Sequence, residues 1–268
     1  MELSVFWNHI DFASQQTGLP LQKVLEAVKS FGISGIECEA VASPANAQAL
    51  VTRLSDAGMK VIDVYTHLDL AHCVTDSQIE HCLEQVQALQ SNRCLMIPGL
   101  IQTGDDEESI LLQTITGLNR VCALAKERCI TVMVEDFDNK RSPCSTIRQV
   151  ARILNDVPAL ALAFDTGNFL FNEEDELEAF AVLKHRIQHV HCKDRTFSAT
   201  RGGKALTTVR GRPMYPVSVG AGCIHMRELL SGLKTIGYNG LLSIEHFDSA
   251  DQLGDMQRSA EWLKGEWV

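Results

Sequence analysis

The chain of 268 residues predicts an α/β fold, a (β/α)₈ barrel forming one domain over 1–268. Three observations point to it. Strand-like and helix-like segments alternate with no long linker. Eight short apolar or β-branched runs can be counted along the way. Four of the later runs each close on a carboxylate or an imidazole, as strands do when their C-terminal ends converge on one face of a barrel. An open doubly wound sheet would need a glycine-rich turn after its first strand, and no GxGxxG occurs there.

The strand candidates, in order, are Leu3 to Trp7, Gly35 to Glu39, Val61 to Tyr65, Cys94 to Ile97, Thr131 to Glu135, Leu160 to Asp165, Ile187 to His191 and Leu241 to Glu245. Their near-continuous apolar character suits parallel strands covered on both faces. Between them, Leu21, Val24, Leu25, Val28 and Phe31 recur at helical spacing, with Gly32 as a C-terminal stop. Ala47, Leu50, Val51 and Leu54 repeat the pattern before Gly58. The stretch Ile110 to Ala125 follows the acidic run Asp105 to Glu108, which favours a helix N-terminus. Met226, Leu229, Leu230 and Leu233 form a late helix ended by Gly237, and a last helix runs from about Gln252 to Trp262. The one long interval, Arg195 to Gly222, is rich in Gly, Pro, Ser and Thr and reads as an inserted loop on the catalytic face.

Hydrophobic residues make up 45% and charged residues 22%, the balance of a soluble globular protein. The formal charge of -10 argues against nucleic acid as a partner, because phosphate contacts need a basic footprint. No apolar run is long enough to span a bilayer, and the N-terminus lacks the basic start and apolar stretch of a signal peptide. These features predict a cytoplasmic protein with no membrane partner. The nine cysteines form no CxxC pair, and Cys38, Cys94 and Cys192 fall at expected core positions, so they read as small apolar residues.

The chemistry-bearing residues are those that close the four later runs: Glu135, Asp165, His191 and Glu245. Two Glu, one Asp and one His make a hard, oxygen-rich donor set that suits Mn²⁺, Co²⁺, Mg²⁺ or Zn²⁺ better than a soft metal. His189 shares the parity of His191 on its strand; it either supports that ring from below or packs the barrel. Lys193 shares it too, and either reaches a substrate oxygen or lies on the surface. Glu37, closing the second strand, and His67, following the third, are candidates for contacting substrate hydroxyls. Trp7 and Asn8 end the first strand, and Trp7 forms either an apolar wall for substrate or part of the core. His246 should point away from the site.

The segments Asp165-Thr-Gly-Asn168, His189-Val-His191-Cys-Lys193-Asp194 and Gly237 to Glu245 resemble the sugar isomerase/epimerase-like, or xylose isomerase-like, TIM barrels, a superfamily that includes endonuclease IV. The resemblance covers nearly the whole chain and is clearest from Thr131 onward. It implies one divalent metal ion held by Glu135, Asp165, His191 and Glu245. It also implies a small sugar, sugar phosphate or polyol as substrate, and leaves room for a homo-oligomer. Members most like this chain are ketose 3-epimerases, inosose dehydratases, hydroxypyruvate isomerases and dehydroshikimate dehydratases. Several carry His three residues after the Asp, where it touches substrate or a further metal; Asn168 stands there in this chain and is assigned to substrate. The endonuclease branch uses several extra His that this sequence lacks.

Epimerisation next to a carbonyl removes a weakly acidic C–H proton and returns it on the other face, through an enediolate. Glu135 and Glu245 could act as the acid/base pair. The same pair could drive loss of water from a cyclic hydroxy-ketone, which leaves a dehydratase as the alternative. An endonuclease-like enzyme and a non-catalytic sugar-binding barrel are weaker readings. The loop after strand seven carries Arg195, Arg201, Lys204, Arg210 and Arg212 and no acidic residue, so an anionic substrate group is expected there, with Arg195 and Arg212 as contacts.

Overall fold

The first strand, β1 (Glu2–Phe6), is hydrogen-bonded in parallel to both the second and the last strand of the sheet, and that double pairing closes a barrel. The computed structural model describes residues 1–41, 43–199 and 203–267. Around the barrel follow β2 (Ile33–Glu39), β3 (Lys60–His67), β4 (Arg93–Ile97), β5 (Thr131–Glu135), β6 (Ala161–Asp165) and β7 (Ile187–Thr196). Two short strands outside it, β8 (Leu206–Thr207) and β9 (Pro213–Val217), come before β10 (Leu241–Glu245), which pairs with both β7 and β1. Nine α-helices are found among the described residues: α1 (Trp7–Thr17), α2 (Leu21–Ser30), α3 (Pro44–Asp56), α4 (Asp76–Ala88), α5 (Glu107–Glu127), α6 (Ile147–Asp156), α7 (Glu176–Leu183), α8 (Met226–Thr235) and α9 (Gln252–Glu266).

All eight expected barrel strands are present, and the alternation of side chains along them sorts the residues into two environments. Val5, Ile36, Val64, Cys94, Val132, Leu162, Val190, Cys192 and Ile244 point outward and share one buried cluster with helix residues such as Val24, Ile79, Leu118, Val150, Leu229 and Leu263. Each such aliphatic side chain contributes about 1.5–3 kcal/mol by leaving water. Leu95, Met133, Ala161 and Ala163 pack together inside the barrel as a separate small cluster. Cys38, Cys94 and Cys192 are buried, as their positions predict, and no described cysteine is in a disulfide.

Local chemistry fixes the helix starts that apolar periodicity left unmarked. Thr75 and Gln78 form a reciprocal capping box on α4, and Thr146 and Gln149 form another on α6. Asp106 caps α5 by accepting from the Ser109 N–H.

Two expectations need correction. Trp7 and Asn8 do not end the first strand: the chain turns at Phe6 and both residues open α1, where Trp7 packs partly buried against the outer core. The stretch 195–222 is not wholly irregular either. β7 runs on to Thr196 and pairs antiparallel with β9, which pairs antiparallel with β8. The root of this excursion is tied by Asp194, whose carboxylate accepts the backbone N–H groups of Arg195, Gly220, Gly222 and Ile224. A β-carbon on Gly222 would come within 2.0 Å of Asp194 Oδ1 and 2.3 Å of the Arg195 carbonyl, so only glycine fits that return.

Candidate active site

Glu135, Asp165 and Glu245, the last residues of β5, β6 and β10, come together with His191, which was expected to close its strand but lies midway along β7 because that strand continues to Thr196. One donor atom from each lies within 4.8 Å of all the others, and all four residues are buried. His191 Nδ1 faces Glu135 Oε2 at 3.0 Å and Glu245 Oε2 at 3.3 Å. The Asp165 carboxylate is held by its own turn: Oδ1 accepts the N–H groups of Gly167 and Asn168 at 2.7 and 2.8 Å. Its second oxygen, Oδ2, and Glu245 Oε2 are buried and make no hydrogen bond; the nearest cationic groups are Lys193 Nζ at 3.2 Å and His191 Nδ1 at 3.3 Å, respectively. Three buried carboxylates facing one ammonium leave negative charge that a divalent ion would offset. The donor set therefore fits a divalent metal ion on geometry and on chemistry.

Beneath this cluster lies a second polar layer. Glu37 accepts from His189 Nε2 at 2.7 Å and from His191 Nε2 at 3.1 Å. That contact fixes the His191 ring and leaves Nδ1 toward the cluster, the arrangement by which a carboxylate orients a metal-binding imidazole. Burial works against a charged Glu37, but His189 and His191 outweigh it and hold its carboxyl well below the ordinary range. Burial would also lower His191, yet the charges of Glu37 and Glu135 and its bonds to both raise it well above its usual value. Burial lowers His189, which suits a neutral ring. Asp63, next to Glu37 across the β2–β3 ladder, is pushed up to about 7 by burial and then by the Glu37 charge.

Above the cluster opens a cavity of about 440 Å³. Glu135, Glu245, Asn168 and Lys193 form part of its lining, with His67 and Arg195 at its sides. Phe6, Tyr65, Phe137 and Phe247 supply apolar wall. Lys193 is buried rather than on the surface: its ammonium lies 2.5 Å from Glu245 Oε1 and 3.2 Å from Asp165 Oδ2 and donates to Asn168 Oδ1 at 2.7 Å. Burial would lower that ammonium, but Asp165 and Glu245 raise it above its ordinary value. Burial raises Asp165 to about 6 despite Lys193. Arg195 is buried and donates to Asp138 Oδ2 at 3.1 Å.

Two sequence assignments fail on geometry. Glu37 does not reach substrate hydroxyls, because it is 1% exposed and both its oxygens are taken by the histidines below the cavity floor. Arg212 does not line the cavity: it is exposed and stacks 3.7 Å over the Phe197 ring. Its neighbour Arg210 pairs outward with Glu173 at 3.6 Å, and Arg201 lies outside the described residues. Of the described basic residues in this stretch, only Arg195 lines the cavity. His246 does turn away from the site, stacking on His9 and bonding Gln252. His189 proves to be linked to His191 through Glu37 rather than inert packing.

The sequence reading missed Glu39, Tyr65, Asp138, Leu206 and Asp248, all on the cavity wall. Glu39 and Tyr65 share the inward parity of Glu37 and His67, a signal that was available. Asp138 and Asp248 sit in loops and Leu206 in the two-residue strand β8, where no periodicity marks direction.

A family model described as the xylose isomerase-like TIM barrel matches residues 25–266. The inosose dehydratase of Geobacillus thermodenitrificans is 28% identical over 145 residues, covering 52% of this chain and 47% of that protein. The matched stretches span less than two thirds of the length of the first curated relatives. Among solved structures, D-psicose 3-epimerase from Clostridium cellulolyticum H10 superimposes with a TM-score of 0.76 at 14% identity, covering 100% of this chain and 99% of that one. A protein named IOLI, solved with a bound zinc atom, superimposes with a TM-score of 0.71 at 16% identity over 100% of this chain and 98% of that one.

Proposed function

Because the chain belongs to the xylose isomerase-like TIM barrel family, we propose that it is a divalent-metal-dependent isomerase or epimerase of a small sugar or polyol. The observation that carries this reading is the convergence of four donor residues, from four barrel strands, at the floor of a cavity of about 440 Å³. Glu135, Asp165, His191 and Glu245 would hold the ion, which when bound polarises a substrate carbonyl and its neighbouring hydroxyl. The zinc of the IOLI structure supports a metal here, and Mn²⁺, Co²⁺ and Mg²⁺ also suit the donors. Glu135 and Glu245 are the cavity-lining carboxylates of that set, so they are the groups that take and return a proton at the carbon next to the carbonyl. Phe6, Tyr65 and Phe247 exclude water from one side of the substrate.

The test is isotopic. A panel of ketohexoses and cyclic hydroxy-ketones is turned over in deuterated solvent by the metal-loaded protein. The expected product carries solvent deuterium at the carbon next to the carbonyl, and Glu135→Gln and Glu245→Gln each slow that exchange by about a hundredfold or more. A product formed without deuterium would point to a hydride shift and overturn the mechanism.

A dehydratase is the second reading, favoured by the inosose dehydratases among the curated relatives. It uses the same proton abstraction followed by loss of a neighbouring hydroxyl. Loss of water from a cyclic hydroxy-ketone, seen by mass spectrometry, would select it over epimerisation.

A further inference from the structure

The turn from Asp165 to Asn168 and the strand β7 meet around one ammonium. Thr166 Oγ1 donates to the Lys193 carbonyl at 2.8 Å and accepts the Lys193 N–H at 2.9 Å. A β-carbon on Gly167 would lie 2.7 Å from the Lys193 carbonyl and 3.1 Å from Lys193 Cγ, so the turn closes on the lysine only because that residue is glycine. The side chain, 4% exposed, then places Nζ against Glu245 Oε1, Asn168 Oδ1 and Asp165 Oδ2. Glu245 is divided by this contact. Oε1 goes to the lysine, and Oε2, with no hydrogen-bond partner, faces His191 Nδ1.

The charges follow the same division. Glu135, Asp165 and Glu245 bring three negative charges to the converging set, and Lys193 offsets one of them. What remains matches a doubly charged ion.

We propose that Lys193 is a charge-setting residue of the metal site, which lowers the affinity for a divalent cation so that the ion exchanges with solution instead of being retained. This rests on the metal reading given above. The ammonium touches two of the four donors, so it repels any cation that shares them, and it draws electron density from the carboxylates that would bind that cation. A lysine serving only to tie β7 to β10 would have no such effect: its removal would loosen the site and weaken binding.

Those two roles move the measurement in opposite directions. Metal-free wild type, Lys193→Met and Lys193→Gln are titrated with Mn²⁺ by calorimetry, with circular dichroism to confirm that each variant is folded. Removing a like charge in contact with the ligands should tighten Mn²⁺ binding by about tenfold or more in both variants, and release of the ion to a chelator should slow accordingly. Gln keeps a hydrogen-bond donor on a similar stem, so it carries the test where Met packs poorly. Unchanged or weaker binding by a folded variant, beside a wild type that binds, overturns the charge-setting role. Failure of the wild type itself to bind overturns the metal reading instead, and this inference with it.

Discussion

Strands β5, β6, β7 and β10 each contribute one residue to the converging set of Glu135, Asp165, His191 and Glu245, whereas β1 to β4 end in Phe6, Glu39, His67 and Ile97, which line the cavity wall. Both halves obey the same inward alternation, and both carry charged residues inside the barrel. The difference is depth. In the second half Glu135, Asp165 and Glu245 close their strands within the converging set, whereas in the first half Glu39 closes β2 on the wall and the carboxylates nearest that set, Glu37 and Asp63, stand further down, 1% and 0% exposed. A carboxylate at the top can meet a ligand. A carboxylate one layer lower can act only through a neighbour, here the His191 ring.

The sharpest way to break this contrast is Asp165→Ala. Two backbone N–H groups and the cluster converge on that carboxylate, so its loss should abolish both metal binding and turnover while the barrel remains folded. Full metal occupancy in the purified variant, by elemental analysis, would mean that the strand-end donors are not the ligands. A smaller effect is expected from the first half. Glu37→Gln keeps the size of the side chain but removes the charge that orients His191, and metal affinity should fall by about ten- to a hundredfold. An unchanged dissociation constant would reduce β2 to a wall.

The smallest effect concerns the loops of the first half. His72 bonds Asp69 at 2.7 Å and Asp105 at 3.0 Å, joining the loop after β3 to the segment before α5. Those bonds raise its pKa above the ordinary imidazole value. A group raised on folding stabilises the protein fully below its unfolded pKa, and that contribution is lost as pH rises through the folded value. Wild type should therefore melt slightly above His72→Gln at about pH 5.5 and no higher than it at about pH 8.5. A difference that persists at the higher pH would assign it to packing.

Much of the barrel and of its donor set can be read from the chain because both obey simple periodicities. Buried parallel strands announce themselves as apolar runs, and a strand end is a definite place, so Glu135, Asp165 and Glu245 stand out at matching positions, while His191 closes the apolar part of a strand that continues to Thr196. Glu37 satisfies the same parity yet serves a different purpose, because parity fixes the face of a side chain and not its depth. Arg212 shows the other limit: its charge is plain in the sequence, but the Phe197 ring that claims it is known only once the hairpin is folded. Asp138 and Asp248 come from loops and Leu206 from the two-residue strand β8, where direction depends on turn geometry rather than on any repeat.

The knot of hydrogen bonds at Asp194 gives the excursion between β7 and α8 a single point of departure and return. Segments anchored at their root can change in length or composition without moving the strands that bear them. Substrate preference could therefore drift through residues such as Leu206, which the hairpin holds over the cavity, while the four donors below keep their places. The fold thus separates a part of the mouth held by the hairpin from a part held by the barrel strands.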